Sequence, residues 1–140
     1  MTVSTMLSLL SEGFVTSLLI FALTLLFSMP LGLAVMFGRR SRLTPLRGFI
    51  KAYISIMRGT PLMLQLMVVF YGPKLLLGVT VPGNWRFTAV IVAFVINYAA
   101  YFAEIYRGGI ESIPRGQYEA AQVLGYTKAQ TFFKIILPQM

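Results

Sequence analysis

The stretch from Phe14 to Phe37 limits what this chain can fold into more than any other, because it is apolar and carries no charge. A helix of about 20 residues crosses the roughly 30 Å hydrocarbon core of a membrane, and this stretch is long enough. Pro30 and Gly32 interrupt it, and membrane helices tolerate both residues where neighbours satisfy the backbone. The residues 14–37 are therefore predicted to form a first transmembrane helix with a kink near Ser28 to Gly32.

Two further apolar stretches predict two more transmembrane helices. One lies at about 55–79, where Thr60 and Pro61 are typical of a helix start. The other covers about 87–106 and leads into a polar loop at about 107–131. The apolar residues that follow resemble the start of a fourth span. The predicted fold class is thus all-α: one membrane domain, 1–140, forming a helical bundle with three full spans, a loop and a partial fourth span.

The composition supports this fold class and excludes most chemistry. Hydrophobic residues make up 57% of the chain and charged residues 11%, against about 25% charged residues in soluble domains. Cysteine and histidine are both absent, which removes thiolate chemistry and the commonest general base and metal ligand. The G-x-x-x-x-G-K-[ST] loop that cradles ATP phosphates is also absent. We therefore expect no catalytic residue, no metal and no cofactor, and the chain is not predicted to be an enzyme.

The basic residues predict an orientation in the membrane. All but two of the 12 Lys and Arg residues precede the second predicted span or follow the third; the exceptions are Lys74 and Arg86. Cytoplasmic loops carry such an excess, so the N-terminus is predicted to lie outside. The net charge of +8 therefore indicates membrane topology, and no nucleic-acid partner is expected. The segment Gly38–Lys51 marks the cytoplasmic side or, on a sharper interpretation, binds anionic membrane lipid.

Four polar residues within the predicted spans are candidate pathway residues. Gln65 is the strongly polar side chain of the second span, and Asn97, Tyr101 and Glu104 fall at helical spacing on one face of the third. A polar side chain in a span usually faces protein or a water-filled path. Helix–helix hydrogen bonding and the lining of a solute pathway both remain open for this set.

The loop after the third span predicts two short helices with a glycine corner between them. The first contains Glu119, Ala120 and Ala121, and Gly125 ends it because glycine accepts the left-handed conformation. Thr127 begins the second, with Gln130 at the position that completes a capping box. Small residues beside a sharp corner suit a groove on another protein, although a simple connector between spans can have the same pattern.

Two motifs in this chain resemble those of one known family. The order Glu119-Ala120-Ala121, Gly125, Ile135 and Leu137-Pro138 is similar to the EAA motif of ABC importer permease subunits. The segment Arg58-Gly59-Thr60-Pro61-Leu62 resembles the RGTPL signature of the polar amino-acid branch of that family. The resemblance extends from about Gly13 to Met140.

The resemblance implies a multi-pass permease subunit of an ATP-driven importer for polar amino acids in the bacterial cytoplasmic membrane. It implies that an extracytoplasmic amino-acid-binding protein delivers the solute, and that the chain pairs with a second copy or a paralogous permease. It assigns docking of a separate ATP-binding ABC subunit to Glu119, Ala120, Ala121 and Gly125. It assigns a structural or gating role to Arg58, Gly59, Thr60 and Pro61.

The same resemblance raises an alternative function. Members of the family have further membrane helices after this point, so the chain resembles a permease truncated at its C-terminus. A truncated non-transporting membrane fragment, or an assembly modulator that keeps the docking loop, is the alternative interpretation. The transported amino acid is not specified by the sequence.

Overall fold

A computed structural model describes residues 2–140; Met1, the first residue of the predicted domain, lies outside them. Every regular element in this range is helical, and the prediction of an all-α helical bundle is confirmed. A π-helical turn, Phe132–Ile136, and a 3₁₀ turn, Leu137–Gln139, follow six α-helices. These are α1 (Val3–Arg39), α2 (Thr44–Gly59), α3 (Leu62–Leu77), α4 (Trp85–Ser112), α5 (Arg115–Val123) and α6 (Lys128–Thr131).

The helices α1 and α4 form the central packed pair. The buried residues of α1 recur every fourth position and are Thr24, Ser28, Gly32 and Met36. The buried face of α4 consists largely of alanine: Ala89, Ala93, Ala99, Ala100 and Ala103. Small residues let two helices approach closely, and in lipid this close packing is a main source of association. The small side chains therefore determine where α1 and α4 meet.

The two helices approach each other closely at Gly32. A Cβ atom placed on Gly32 would lie 2.6 Å from the Cβ of Phe102 and 3.0 Å from the backbone oxygen of Ala99. The helix α1 continues through Pro30 without a break. The missing side chain of Gly32 allows close contact with α4, which the sequence did not predict, and the kink near Ser28 to Gly32 stays a prediction.

The second predicted span contains a sharp bend in the structure. The stretch 55–79 is divided at Thr60 and Pro61, where α2 and α3 meet at 110°. Both residues have extended backbones, with ψ of 146° and 134°. Proline disfavours the helical conformation of the residue before it and donates no backbone hydrogen bond, which explains the break.

The membrane crossings follow from these bounds. The helices α1 and α4 are long and apolar enough to span a membrane, and a third crossing exists if the bent pair α2–α3 counts as one span. At about 1.5 Å per residue, α1 with 37 residues is roughly 56 Å long and α4 with 28 residues roughly 42 Å. Both exceed the hydrocarbon thickness, so their ends extend beyond it on at least one side.

The last residues of the chain pack back against the central pair. Ile136 is fully buried, and the rings of Phe132 and Phe37 lie 5.2 Å apart. Met140 lies so close to Gly109 that a Cβ atom there would come within 2.9 Å of the Met140 Cβ. The segment predicted to open a fourth span thus belongs to the core formed by α1 and α4.

Candidate functional site

Asn97 and Gln65 hold the break between α2 and α3 against α4. The Nδ2 group of Asn97 donates to Gln65 Oε1 at 2.8 Å and to the backbone oxygen of Met57 at 3.0 Å. The Nε2 group of Gln65 donates to the same Met57 oxygen at 3.0 Å and to Thr60 Oγ1 at 2.7 Å. The last carbonyls of a helix have no partner within it, and these amides satisfy one at the end of α2. Helix–helix hydrogen bonding, one of the two predicted roles, is therefore present.

Replacing Asn97 with alanine is expected to lower the free energy of unfolding by about 1–2 kcal/mol, because buried acceptors lose a donor. The measurement is thermal unfolding of the purified chain in detergent. Asn84, at the N-terminal end of the same helix, makes no side-chain capping bond and is exposed. Asn84→Ala is therefore the matched control. Equal stability of Asn97→Ala and Asn84→Ala would contradict the assigned role.

Glu104 joins the ends of three helices through arginine side chains. Its side chain is 14% exposed, and Oε2 accepts a hydrogen bond from Arg107 Nε at 3.0 Å and lies 3.0 Å from Arg107 Nη2 in an ion pair. Its other oxygen, Oε1, pairs with Arg39 at the end of α1. Arg58, at the end of α2, places Nη1 3.8 Å from Oε2 and its guanidinium 5.5 Å from the centre of the Tyr101 ring. We call Glu104, Arg39, Arg58 and Arg107 the arginine cluster.

Asn97, Tyr101 and Glu104 share one face of α4, as predicted, and each contacts the last turn of α2, whereas Gln65 lies on α3. Asn97 contacts the backbone oxygen of Met57 in the last turn of α2. Tyr101 and Glu104, one and two turns further along α4, contact Arg58. The polar groups of Gln65, Asn97 and Glu104 meet protein groups in this chain, and the lining of a solute pathway stays a prediction.

Of the four signature residues Arg58, Gly59, Thr60 and Pro61, three have separate local roles. Arg58 belongs to the arginine cluster, and Thr60 Oγ1 donates to the backbone oxygen of Ile56 at 2.8 Å while accepting from Gln65. Pro61 forms the break, and Gly59 has open space where a Cβ atom would stand. The structure therefore explains three of the four residues and gives no packing reason for Gly59.

Two members of the arginine cluster were not identified as site residues from the sequence. Arg107 lies three residues after Glu104, and this helical spacing is a signal that the sequence contains. Arg39 is far away in sequence and reaches Glu104 only because α1 packs on α4. Arg39 was interpreted only as one of the basic residues that set the topology or bind anionic lipid.

The glycine corner after α5 has the predicted conformation. Gly125 has φ of +74°, in the left-handed region. The backbone N–H of Gly125 donates to the Gln122 oxygen, and that of Tyr126 donates to the Ala121 oxygen, both at 3.0 Å. This pair of bonds is the Schellman motif that ends helices at glycine.

The helix after the corner begins with the predicted capping box. The N–H of Thr127 donates to Gln130 Oε1 at 2.9 Å, and the N–H of Gln130 donates to Thr127 Oγ1 at 3.2 Å. The two bonds fix the direction in which the chain leaves the corner.

The corner exposes only part of the predicted docking set. Glu119, Ala120 and Gly125 are exposed, whereas Ala121 is 0% exposed and faces its own chain. Ala121 thus presents no exposed side chain at the corner, and its assignment to ATPase docking stays a prediction. Val123, 88% exposed, and the similarly exposed Leu124 were missed, although two apolar residues directly before a glycine corner are a readable signal. We call Glu119, Ala120, Val123, Leu124 and Gly125 the corner surface.

Comparison with known proteins identifies the family. Residues 28–140 match the family described as "Binding-protein-dependent transport system inner membrane component". The L-cystine transport system permease protein TcyB of Bacillus subtilis (strain 168) is 39% identical over 131 residues, which are 93% of this chain and 54% of that protein. The arginine transport system permease protein ArtQ of the same organism is 38% identical over 128 residues, 91% of this chain and 57% of that protein.

A solved structure shares the fold. The structure titled "Crystal structure of an amino acid ABC transporter with histidines" has a TM-score of 0.80 and 34% identity, covering 99% of this chain and 65% of that one. This chain spans about half the length of the curated relatives it matches. On sequence and fold together, the chain belongs to the family of binding-protein-dependent transport system inner membrane components.

Proposed function

We propose that this chain is part of the permease of an ATP-driven amino-acid importer and docks a separate ATP-binding subunit through the corner surface. The names of TcyB and ArtQ, which concern cystine and arginine, support amino acids as the solute class. The observation that carries the docking proposal is the left-handed turn at Gly125, which leaves Val123 and Glu119 exposed beside it.

The corner surface has the chemistry of a contact with another protein. Exposed apolar side chains such as Val123 and Leu124 are unfavourable in water and gain free energy when a partner covers them. Glu119 lies one turn before Val123 on α5 and offers a carboxylate to a cation of the partner. A groove with an apolar floor and a basic rim fits this surface.

A movement of α5 can be transmitted directly through α4 to the arginine cluster. Only Ile113 and Pro114 separate α5 from α4, and Ile113 is buried in the core. The helix α4 carries Glu104, which holds the ends of α1 and α2. A rigid-body displacement of α5 on ATP binding would therefore move the helix ends around Glu104. Such a movement is a means of opening a pathway alternately to the two sides of the membrane.

The remaining partners and the orientation belong to the same proposal. The N-terminus lies outside and the corner surface in the cytoplasm, in keeping with the basic residues near Arg39 and Arg107. An extracytoplasmic binding protein supplies the amino acid on the opposite side. The exposed apolar faces of α1 and α3 are available to lipid, to further permease helices and to a second permease.

Charge reversal at Glu119 and a branched side chain at Gly125 test the docking proposal. Val at φ of +74° strains the corner by about 1–2 kcal/mol, and Lys at 119 repels a basic partner groove. In the assembled transporter, Glu119→Lys and Gly125→Val are each expected to reduce co-purified ATP-binding subunit and amino-acid uptake by about tenfold. Both variants should still insert into the membrane, because neither residue lies in an apolar helix.

Two matched controls make this test specific. Glu12→Lys makes the same charge reversal on α1, and Gly83→Val adds the same side chain where φ is not positive and no atom lies within 4 Å of the added Cβ. Both controls are expected to retain docking. The proposal is wrong if Glu119→Lys and Gly125→Val leave docking and uptake at wild-type levels.

A further inference from the structure

A small cavity lies beside the arginine cluster, on the side of α2. Its volume is about 370 Å³, and it is separate from a larger cavity of about 810 Å³ near the corner surface. Its lining is mostly charged and polar. The lining residues are Arg39, Lys51, Ile54, Ser55, Arg58 and Glu104.

The lining carries more positive than negative charge. Glu104 is its one carboxylate, and both oxygens are already engaged, Oε1 by Arg39 and Oε2 by Arg107. Arg58 stands 3.8 Å from Oε2, beyond hydrogen-bond distance, and its side chain is about half exposed. Lys51 takes part in none of the ion pairs formed within residues 2–140. The guanidinium of Arg58 and the ammonium of Lys51 are therefore available to an anion.

Three donors on α2 face this cavity together. Lys51, Ser55 and Arg58 follow one another at intervals of four and three residues, which places them on one face of the helix. They offer an ammonium, a hydroxyl and a guanidinium. A phosphate group has several strong acceptor oxygens and suits both arginine and lysine, so it can meet all three donors at once.

We propose that this cavity binds a phosphate group through Lys51, Ser55 and Arg58. The ion pairs of Glu104 with Arg39 and Arg107 remove the charge that would otherwise repel the ligand. Phospholipid headgroups and free inorganic phosphate share this chemistry. Phe49 and Ile56 are exposed on the face of α2 opposite the basic face, and an amphipathic helix of this kind lies at the membrane surface, which favours a lipid headgroup.

The test compares phosphate probes on the purified chain in detergent. Thermal unfolding is followed during titration with phosphatidylglycerol, with phosphatidylcholine, and with sodium phosphate against sodium chloride at constant ionic strength. At least one phosphate-containing probe should raise the melting temperature of the wild-type chain in a saturable manner. Lys51→Gln is expected to raise the half-saturating concentration by about tenfold, as the loss of one charge-assisted hydrogen bond predicts.

A matched control separates this cavity from the general basic charge. Arg42→Gln removes the same charge from an exposed residue of the neighbouring loop that does not line the cavity, and should change the half-saturating concentration less than twofold. Lys51 is itself exposed and outside every ion pair within residues 2–140, so its replacement does not threaten the fold.

Each outcome has a defined meaning. A response to phospholipid alone that Lys51→Gln weakens identifies a lipid headgroup as the ligand. A response to sodium phosphate that the same change weakens identifies free phosphate. The absence of any saturable response, or equal weakening by Lys51→Gln and Arg42→Gln, overturns the proposal.

Discussion

Glu104→Ala should lower the free energy of unfolding by up to about 3 kcal/mol. The change removes the one carboxylate that joins α1, α2 and α4 and leaves Arg39, Arg58 and Arg107 facing one another. Breaking a buried ion pair typically costs about 3–5 kcal/mol, and the partial exposure of the three arginines places the effect at the lower end of that range. The measurement is chemical or thermal unfolding of the purified chain in detergent.

Glu111 supplies the matched control for this prediction. It also pairs with Arg107, at 2.5 Å, but its side chain is 61% exposed and has this single ion-pair partner within residues 2–140. Exposed ion pairs contribute about 0–1 kcal/mol, so Glu111→Ala should change stability by less than that. If the two alanine variants have equal stability, the arginine cluster does not hold the helix ends together.

Gly32→Leu is expected to destabilise the chain by about 3 kcal/mol or to prevent α1 from packing on α4. Leucine normally favours a helix over glycine by about 1 kcal/mol, so helix propensity alone predicts the opposite sign. The Cβ of any side chain at this position would overlap the Cβ of Phe102 and press on the backbone oxygen of Ala99. Backbone atoms cannot rotate away, and the two helices would have to separate.

Gly13→Leu is the control on the same helix. No atom lies within 4 Å of a Cβ placed at Gly13, so this change should be neutral or slightly stabilising. Thermal unfolding of both variants in the same detergent gives the comparison. If Gly32→Leu and Gly13→Leu shift the melting temperature in the same direction, close contact at Gly32 does not determine how α1 packs.

Features that depend on neighbouring residues were predicted well from the sequence. The left-handed backbone at Gly125 and the capping box of Thr127 and Gln130 were both confirmed. Each rests on hydrogen bonds between residues at most five apart, so the local sequence contains the needed information. The family assignment from the EAA and RGTPL motifs was also confirmed. The family name and the apolar helices support a multi-pass inner-membrane protein, and a transport component of this kind is not itself an enzyme.

Features that depend on packing between distant segments were missed or misread. Pro61 indicated a helix start, and α3 does begin directly after it, but the 110° turn there and the hydrogen bond from Asn97 to the end of α2 were not predicted. Gly32 was associated only with a kink, and its contact with Phe102 was missed because that contact is invisible in the sequence. The ion pair of Arg39 was missed because its partner, Glu104, lies far away in the sequence on α4. ATPase docking and the outside position of the N-terminus remain proposals.

Cross-linking from Val123 tests the docking proposal most directly. The chain has no cysteine, so Val123→Cys introduces a unique thiol at the tip of the corner surface, and Gly83→Cys introduces one at the opposite end of α4. Membranes containing the transporter with its ATP-binding subunit are treated with a short thiol-reactive photo-cross-linker. We expect Val123→Cys to yield a cross-link to the ATP-binding subunit and Gly83→Cys to yield none. Cross-linking from Val123→Cys no stronger than from Gly83→Cys would contradict the proposal that the corner surface docks that subunit.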